Sequence, residues 1–158
     1  MFKNHWLIRV GDGENLKKSK YMFWGVKRGR GDCIKSLIKN NFKEGDIIWF
    51  ITNKKAGGKC IAMCEYITFY DKQDEKLINI NTISNKEQNW NETEVWDIQI
   101  NYKNLYFTEN QNIKICIQCS SIILKYLTFK DKIEDDLVNH YNNFKFYAVP
   151  NNTKISMI

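Results

Sequence analysis

The sequence has little of what catalysis usually requires. Its 158 residues contain only two histidines, His5 and His140, and neither lies in a motif with a cysteine or a serine. A histidine-dependent nucleophilic mechanism is therefore not indicated. The segments Gly11–Gly13 and Gly29–Gly31 are too short for a Walker loop or a dinucleotide-binding fingerprint, and no pair of carboxylates stands out. These absences predict a protein that is not an enzyme.

Long hydrophobic runs are also missing. No apolar segment approaches the ~20 residues of a helix that spans a bilayer. Residues 1–6 lack the apolar stretch of a secretory signal. We therefore expect an intracellular protein without a membrane partner, in the cytoplasm or the nucleus. Five cysteines are an odd number in such a chain, which favours free thiols over disulfides.

The cysteine spacing offers one candidate metal site. Cys116 and Cys119 form a CxxC pair, which Cys60 and Cys64 could complete as a zinc site. However, the alternation from Cys60 to Tyr66 places the cysteines on one face of a strand, as is typical of small core residues. We therefore predict no metal and no cofactor.

Positive charge and aromatic side chains are abundant. The formal net charge is +6 and the aromatic content is 14%, which permits a phosphate-backbone partner. Because aromatic side chains fill cores first, their positions matter more than their number. Trp6, Trp49 and Trp96 lie in predicted strands and are predicted to be core. Trp24 and Trp90 lie in irregular segments beside polar or basic residues, so they are candidates for a binding site.

The hydrophobic periodicity predicts an α+β domain with a curled or barrel-like mixed sheet and a few short helices. Asp32 is predicted to cap a helix that buries Ile34, Leu37 and Ile38. We expect a single domain over residues 1–150 and a flexible tail over 151–158. The predicted elements are a strand His5–Val10, a short helix Glu14–Lys20, a strand Ile47–Thr52, a hairpin loop Asn53–Lys59, a strand Cys60–Tyr70, a long polar segment Asp71–Glu94, strands Val95–Tyr102 and Ile113–Cys119, and a last helix begun by Asp131 and Glu134.

Several motifs, in their order and spacing over about residues 5–120, resemble the YTH and EVE branches of the PUA-like superfamily. Similarity to the EVE pattern lies in His5–Arg9, Trp24-Gly25-Val26 and Lys43–Phe50. Similarity to the YTH pattern lies in Arg9, Glu14-Asn15, Trp24-Gly25, Trp90, Val95–Ile100 and Leu105–Phe107. The chain departs from both patterns. Gly25 stands where YTH domains have Ser or Cys, and Lys27–Arg30 replaces the glycine- and asparagine-rich continuation of EVE domains.

The resemblance implies an open PUA-like barrel that captures a modified base in an aromatic cage, most simply N6-methyladenosine in single-stranded RNA. In YTH domains the matching residues would have these roles: Trp24 and Trp90 sandwich the base, Asn15 donates to its ring nitrogen N1, and the backbone carbonyl of Gly25 accepts the remaining N6 hydrogen. Arg9 meets a phosphate, helped by Lys27, Arg28 and Arg30.

Three alternatives stay open at this point. The first keeps the fold and changes the ligand to modified cytosine in DNA, as in the EVE branch. The second is an RNA-processing enzyme on a PUA-like scaffold. The third is an interaction protein whose Trp90 segment docks another protein. The oligomeric state is not predicted.

Overall fold

The computed structural model describes residues 5–74, 83–108, 123–125 and 146–148. Within these ranges the chain forms seven strands, two α-helices and one 3-10 turn at Arg30–Asp32. In chain order the strands and helices are β1 (His5–Arg9), α1 (Glu14–Lys18), β2 (Phe23–Val26), α2 (Cys33–Asn41), β3 (Ile47–Ile51), β4 (Cys60–Asp71), β5 (Ile98–Thr108), β6 (Ile123–Lys125) and β7 (Phe146–Ala148).

Most of the predicted elements in the described ranges are present. The strands at His5, Ile47 and Cys60 and the helix after Asp32 are confirmed. Two details differ: α1 ends at Lys18, and the strand expected from Val95 begins at Ile98 and continues to Thr108. The predicted strand Ile113–Cys119, the helix begun by Asp131 and the tail 151–158 lie outside the described residues.

Asp32 precedes α2 as predicted, but its side chain does not cap the helix. Its backbone has a left-handed φ of 60°, and no cap hydrogen bond forms. Its carboxylate instead accepts a hydrogen bond of 3.2 Å from Arg28. The position of the helix start was thus predictable from Asp32, whereas the use of its carboxylate was not.

The strands form one mixed sheet in the order β2-β5-β4-β3-β1-β6, with β7 also paired to β5. The pair β1–β3 is parallel and the other ladders are antiparallel. No ladder joins β1 to β2 within the part of the chain that the structure describes. On the side away from β3, residues Trp6–Ile8 of β1 pair with β6, so the described part of the sheet does not close between β1 and β2.

Ring contacts show that the sheet is curled. Trp24 lies on β2 and Phe50 on β3, with β5 and β4 between them in the strand order. In a flat sheet three steps of ~4.8 Å would separate these strands by about 14 Å. The two ring centroids are only 6.4 Å apart. The prediction of an α+β fold with a curled mixed sheet and short helices is thus confirmed, while the PUA-like assignment stays a prediction.

The concave face of the sheet carries the core. Trp6, Ile48, Phe50 and Ala62 are at most 1% exposed. Trp6 also stacks on Phe42 just after α2, with ring centroids 4.3 Å apart. Trp6 and Trp49 are both buried, as predicted.

Cys60 and Cys64 are buried core residues on β4, as the alternation predicted. Burial raises the pKa of Cys60 to about 12, although a backbone hydrogen bond with Ala62 opposes the shift. Burial also raises the pKa of Cys64 well above its usual range. Both thiols are therefore protonated at neutral pH and behave as small apolar groups.

The described helices are short. The longer one, α2, has nine residues, fewer than half of the ~20 that a helix needs to cross a bilayer. No helix in the described ranges is therefore a candidate for a membrane span.

Candidate functional site

A cavity of about 400 Å³ lies between the end of β1 and β2. Its volume is within the range of roughly 300–1,000 Å³ that is common for small-molecule sites. The end of β1 and the start of α1 form one side, β2 forms another, and the segment between β4 and β5 covers it. The lining residues are Arg9–Asp12, Asn15, Trp24–Val26, Asn53, Glu92 and Trp96.

Gln88 anchors the segment 83–97 beside the cavity. Its fully buried side-chain amide accepts a hydrogen bond of 2.6 Å from the backbone N–H of Tyr21. The same amide donates to the carbonyls of Tyr21 and Phe23, at 2.9 and 3.0 Å. The Gln88 side chain thus satisfies backbone groups at the start of β2 much as a neighbouring strand would. This contact fixes where the two tryptophans of the segment, Trp90 and Trp96, can lie.

Trp90 is tied to α1 and to the core. It is 4% exposed, and its indole N–H lies 3.0 Å from the Asn15 carbonyl and 2.8 Å from Ser19 Oγ. Its ring contacts Trp24, with centroids 5.0 Å apart and a tilt of 59°. A base held between two parallel rings needs about 7 Å between them, since each stacked contact takes ~3.5 Å.

The expected sandwich of a base between Trp24 and Trp90 is therefore not what the structure shows. The two rings contact each other directly. Trp90 lines a separate surface depression that is formed by residues of its own segment. The physical reason is that its indole N–H is satisfied by α1, which turns the ring inward.

Trp96 takes the place at the cavity that the sequence had suggested for Trp90. It was predicted to be a core strand residue, but it precedes β5 and is partly buried. Its indole N–H donates to Glu92, and the Lys27 ammonium lies 5.6 Å from its ring centroid. Trp24 and Trp96 line the same cavity. The local sequence favoured Trp90 instead, because Trp90 stands among polar residues whereas Trp96 follows Val95 in a predicted strand.

The polar rim of the cavity holds side chains with hydrogen-bonding capacity to spare. The Asn15 side-chain amide forms no hydrogen bond with any residue that the structure describes; only its backbone carbonyl is used. Asp12 uses one carboxylate oxygen to accept from the Glu14 N–H at 3.0 Å. Asn53 uses its side-chain oxygen to accept from Ala56 at 2.7 Å. Donors and acceptors are thus available at the edge of a planar ligand.

The predicted phosphate-binding residues are mostly engaged within the protein. Arg28 is paired with Asp71 at 2.6 Å, with Asp32 at 3.2 Å and with Asp97 at 3.6 Å. Lys27 is paired with Glu94. These ion pairs neutralise the basic loop that follows β2. They support a structural role for Arg28 better than a phosphate-binding role.

Arg9 and Arg30 differ from that pair. Arg9 is 9% exposed and donates to the Thr52 carbonyl at 3.0 Å while it also lines the cavity. Arg30 is exposed in the 3-10 turn before α2. Neither arrangement tests the predicted phosphate contacts, which stay a prediction.

The rings of Trp24 and Trp96, the Asn15 side-chain amide, and both positively and negatively charged side chains surround one cavity. This combination suits a flat ligand with polar edges. Among the described residues, no three His, Cys, Asp or Glu side chains converge on a point that could hold a metal ion. Comparisons with known proteins gave no match to a family model, to a curated protein or to a solved structure.

Proposed function

We propose that this chain binds a modified nucleobase of a single-stranded nucleic acid, N6-methyladenosine in RNA, in the cavity lined by Trp24 and Trp96. The observation that carries the proposal is that two indole rings and the unengaged amide of Asn15 line one cavity of about 400 Å³. Stacking on aromatic side chains and hydrogen bonds to base edges are the usual means by which proteins recognise an unpaired base.

Three free-energy contributions indicate how such a cavity selects a methylated base. Stacking contributes ~1–3 kcal/mol per base and is nearly independent of methylation. Burying one methyl group adds ~0.8 kcal/mol. An unmethylated amine would leave an N–H donor unsatisfied among apolar groups, at a cost of ~1–3 kcal/mol. The unsatisfied donor and the methyl group together give a preference of roughly 20- to 500-fold.

The proposed roles follow from the positions of the residues. Trp24 and Trp96 cover the base, and Lys27 already lies over the Trp96 ring, so the base stacks on the opposite face or displaces the ammonium. Asn15 hydrogen-bonds to the base edge, and the Gly25 carbonyl accepts the remaining N6 hydrogen. Trp90 packs against Trp24 and hydrogen-bonds to α1 without contacting the base. The role is one of binding, with no catalytic step.

The test is equilibrium binding, by fluorescence anisotropy, of short single-stranded RNAs that differ only in one N6-methyl group. Trp96→Ala and Trp24→Ala should each lose ~1–3 kcal/mol of affinity for the methylated RNA and less for the unmethylated RNA, so the preference shrinks. Trp90→Phe is the matched control. It keeps a ring against Trp24 but loses the indole N–H, so the protein becomes less stable while the preference remains.

The outcomes separate the possible ligands. Loss of preference in Trp90→Phe together with an unchanged preference in Trp96→Ala would place the base on Trp90, as the family resemblance implies. A preference of the wild-type protein for DNA with a modified cytosine would identify the ligand of the EVE branch. Equal affinity for all these oligonucleotides would contradict the proposal. Recovery of intact RNA after incubation checks that no processing occurs.

A further inference from the structure

Asn53 lines the cavity at the start of the hairpin loop between β3 and β4. It is half-buried, and its backbone N–H donates to the Gly11 carbonyl, also at the cavity, at 2.8 Å. Its backbone carbonyl accepts from the Gly58 N–H across the loop at 2.9 Å. Both polar groups of its main chain are thus held, so its side chain starts from a fixed point at the cavity.

The side-chain amide of Asn53 is held in one orientation. Its Oδ1 accepts from the Ala56 N–H at 2.7 Å. Turning the amide over would set its NH2 group against that N–H, donor against donor, so the oxygen stays on the loop side. Because the amide is planar, a fixed Oδ1 also fixes Nδ2. Asn53 Nδ2 forms no hydrogen bond with any residue that the structure describes, and it therefore offers the ligand donors only.

The two asparagines of the cavity differ in what they can bind. Neither end of the Asn15 amide is held by a described residue, so this amide can turn to face a donor or an acceptor. Asn53 can meet only an acceptor. In an adenine bound as proposed, N1 meets Asn15 and the N6 hydrogen meets the Gly25 carbonyl. The ring acceptors that are left are N3 and N7.

We infer that Asn53 is a specificity-determining residue of the cavity, whose Nδ2 donates a hydrogen bond to N3 or N7 of the captured base. This inference rests on the proposed function, because it takes an adenine to lie in the cavity. A base without that ring nitrogen would leave the donor unsatisfied in the complex. Sites that hydrogen-bond their ligand reject analogues that lack the partner atom for this reason.

The experiment replaces the target adenine, in the same methylated and unmethylated RNAs, by its 3-deaza or its 7-deaza analogue, in which C–H stands for one ring nitrogen. One of the two analogues should bind the wild-type protein about 2- to 13-fold more weakly than the parent RNA, as for the loss of one hydrogen bond.

Asn53→Asp is the decisive variant. It keeps an oxygen for the Ala56 N–H and replaces the NH2 group by a second acceptor. The analogue that the wild-type protein rejects should now bind at least as well as the parent RNA, because a ring nitrogen facing a carboxylate is unfavourable. Comparing two RNAs on one protein cancels the effect of the added negative charge on the strand. Asn40→Asp, at an exposed position of α2, is the charge-matched control and should keep the wild-type ratio.

The results separate the two proposals. Full affinity of the wild-type protein for both analogues, with its methyl preference intact, overturns the Asn53 inference alone. The same loss in the wild-type protein and in Asn53→Asp also overturns it, because the ring nitrogen then meets another group. A loss that Asn53→Asp removes, in a protein without methyl preference, supports the Asn53 contact and overturns the reader proposal. Absence of RNA binding by the wild-type protein overturns both.

Far-ultraviolet circular dichroism checks that the variants remain folded. If Asn53→Asp does not fold, Asn53→Ser takes its place, since a serine hydroxyl accepts from the loop in a similar way and carries no amide. The loss of affinity for the rejected analogue should then disappear in Asn53→Ser, and its persistence would overturn the inference.

Discussion

Trp96 packs directly on Gly25. A Cβ at position 25 would lie 2.5 Å from the Cβ of Trp96 and 3.0 Å from its Cγ. Real Cβ atoms do not come this close to another atom, so the indole wall of the cavity requires glycine at this position. The resemblance to YTH domains leads one to expect Ser or Cys here, and the contact with Trp96 explains the departure.

Gly25→Ala should therefore displace Trp96. We expect a loss of about 1–3 kcal/mol in the free energy of unfolding, as is usual when a packed site is overfilled. We also expect a smaller methyl preference, because one wall of the cavity moves. Chemical denaturation and paired RNA binding measure the two effects. Unchanged stability and binding would show that Trp96 can move away without cost and does not form a fixed wall.

Gln88 gives a prediction about stability that does not depend on the ligand. Gln88→Ala removes the partner of three backbone groups at Tyr21 and Phe23. The Tyr21 carbonyl also accepts from the Phe23 N–H at 3.0 Å, so two groups lose their partner; at ~1–3 kcal/mol each, we expect a total loss of about 2–6 kcal/mol in the free energy of unfolding. Urea denaturation measures it, with the exposed Lys86→Ala in the same segment as a control that should stay within about 0.5 kcal/mol of wild type. A Gln88→Ala variant as stable as wild type would mean that water or a new contact replaces the amide.

Asp71 gives a prediction about pH. Burial raises the pKa of its carboxyl, but the hydrogen bond from Lys35, the backbone N–H of Gln73 and the charge of Arg28 together outweigh burial, so the pKa is lowered. The contacts agree with this direction: Lys35 Nζ lies 2.8 Å and Arg28 Nη2 lies 2.6 Å from the carboxylate. A pKa lower in the folded than in the unfolded state means that the charged form stabilises the fold.

The sign of that shift sets the pH window. The stabilisation should be fully present above the unfolded-state pKa of about 3.9 and should disappear as the pH falls through the lower folded-state value. Asp71→Asn should therefore cost about 1–3 kcal/mol near neutral pH, and the difference from wild type should shrink below about pH 4. Urea denaturation over a pH series tests this, with exposed Glu44→Gln as the control. A difference that stays constant with pH would show that the loss comes from packing and not from charge.

Local pattern was enough to predict much of the fold. The alternation in His5–Arg9 and in Cys60–Tyr66 predicted strands, and the structure has both, although Trp6–Arg9 are buried on both faces of β1. Asp32 before an apolar stripe predicted the start of α2. These predictions succeeded because hydrophobic periodicity and chain-reversing residues act within a few positions along the chain.

The candidate site was only partly predictable from the sequence. Motif order placed Trp24, Gly25, Asn15 and Arg9 together, and all four line the same cavity. The choice between Trp90 and Trp96 was not predictable, because it depends on which indole N–H meets α1 and which ring covers Gly25. Likewise, the sequence suggested that Arg28 was available for phosphate, although Asp71, which pairs with it, is 43 residues away in the chain.

The sequence by itself therefore determined the strands, the helix start and the residue types available for a site, because each of these depends on near neighbours along the chain. The tertiary structure decided which tryptophan borders the cavity, which basic residues are neutralised and why position 25 must be glycine. The last two depend on β5, which pairs with both β2 and β4, and the first also depends on the curl of the sheet, which brings β2 close to β3 and to the end of β1. Contacts between strands that are distant in the sequence leave no local periodicity, so only the folded chain specifies them.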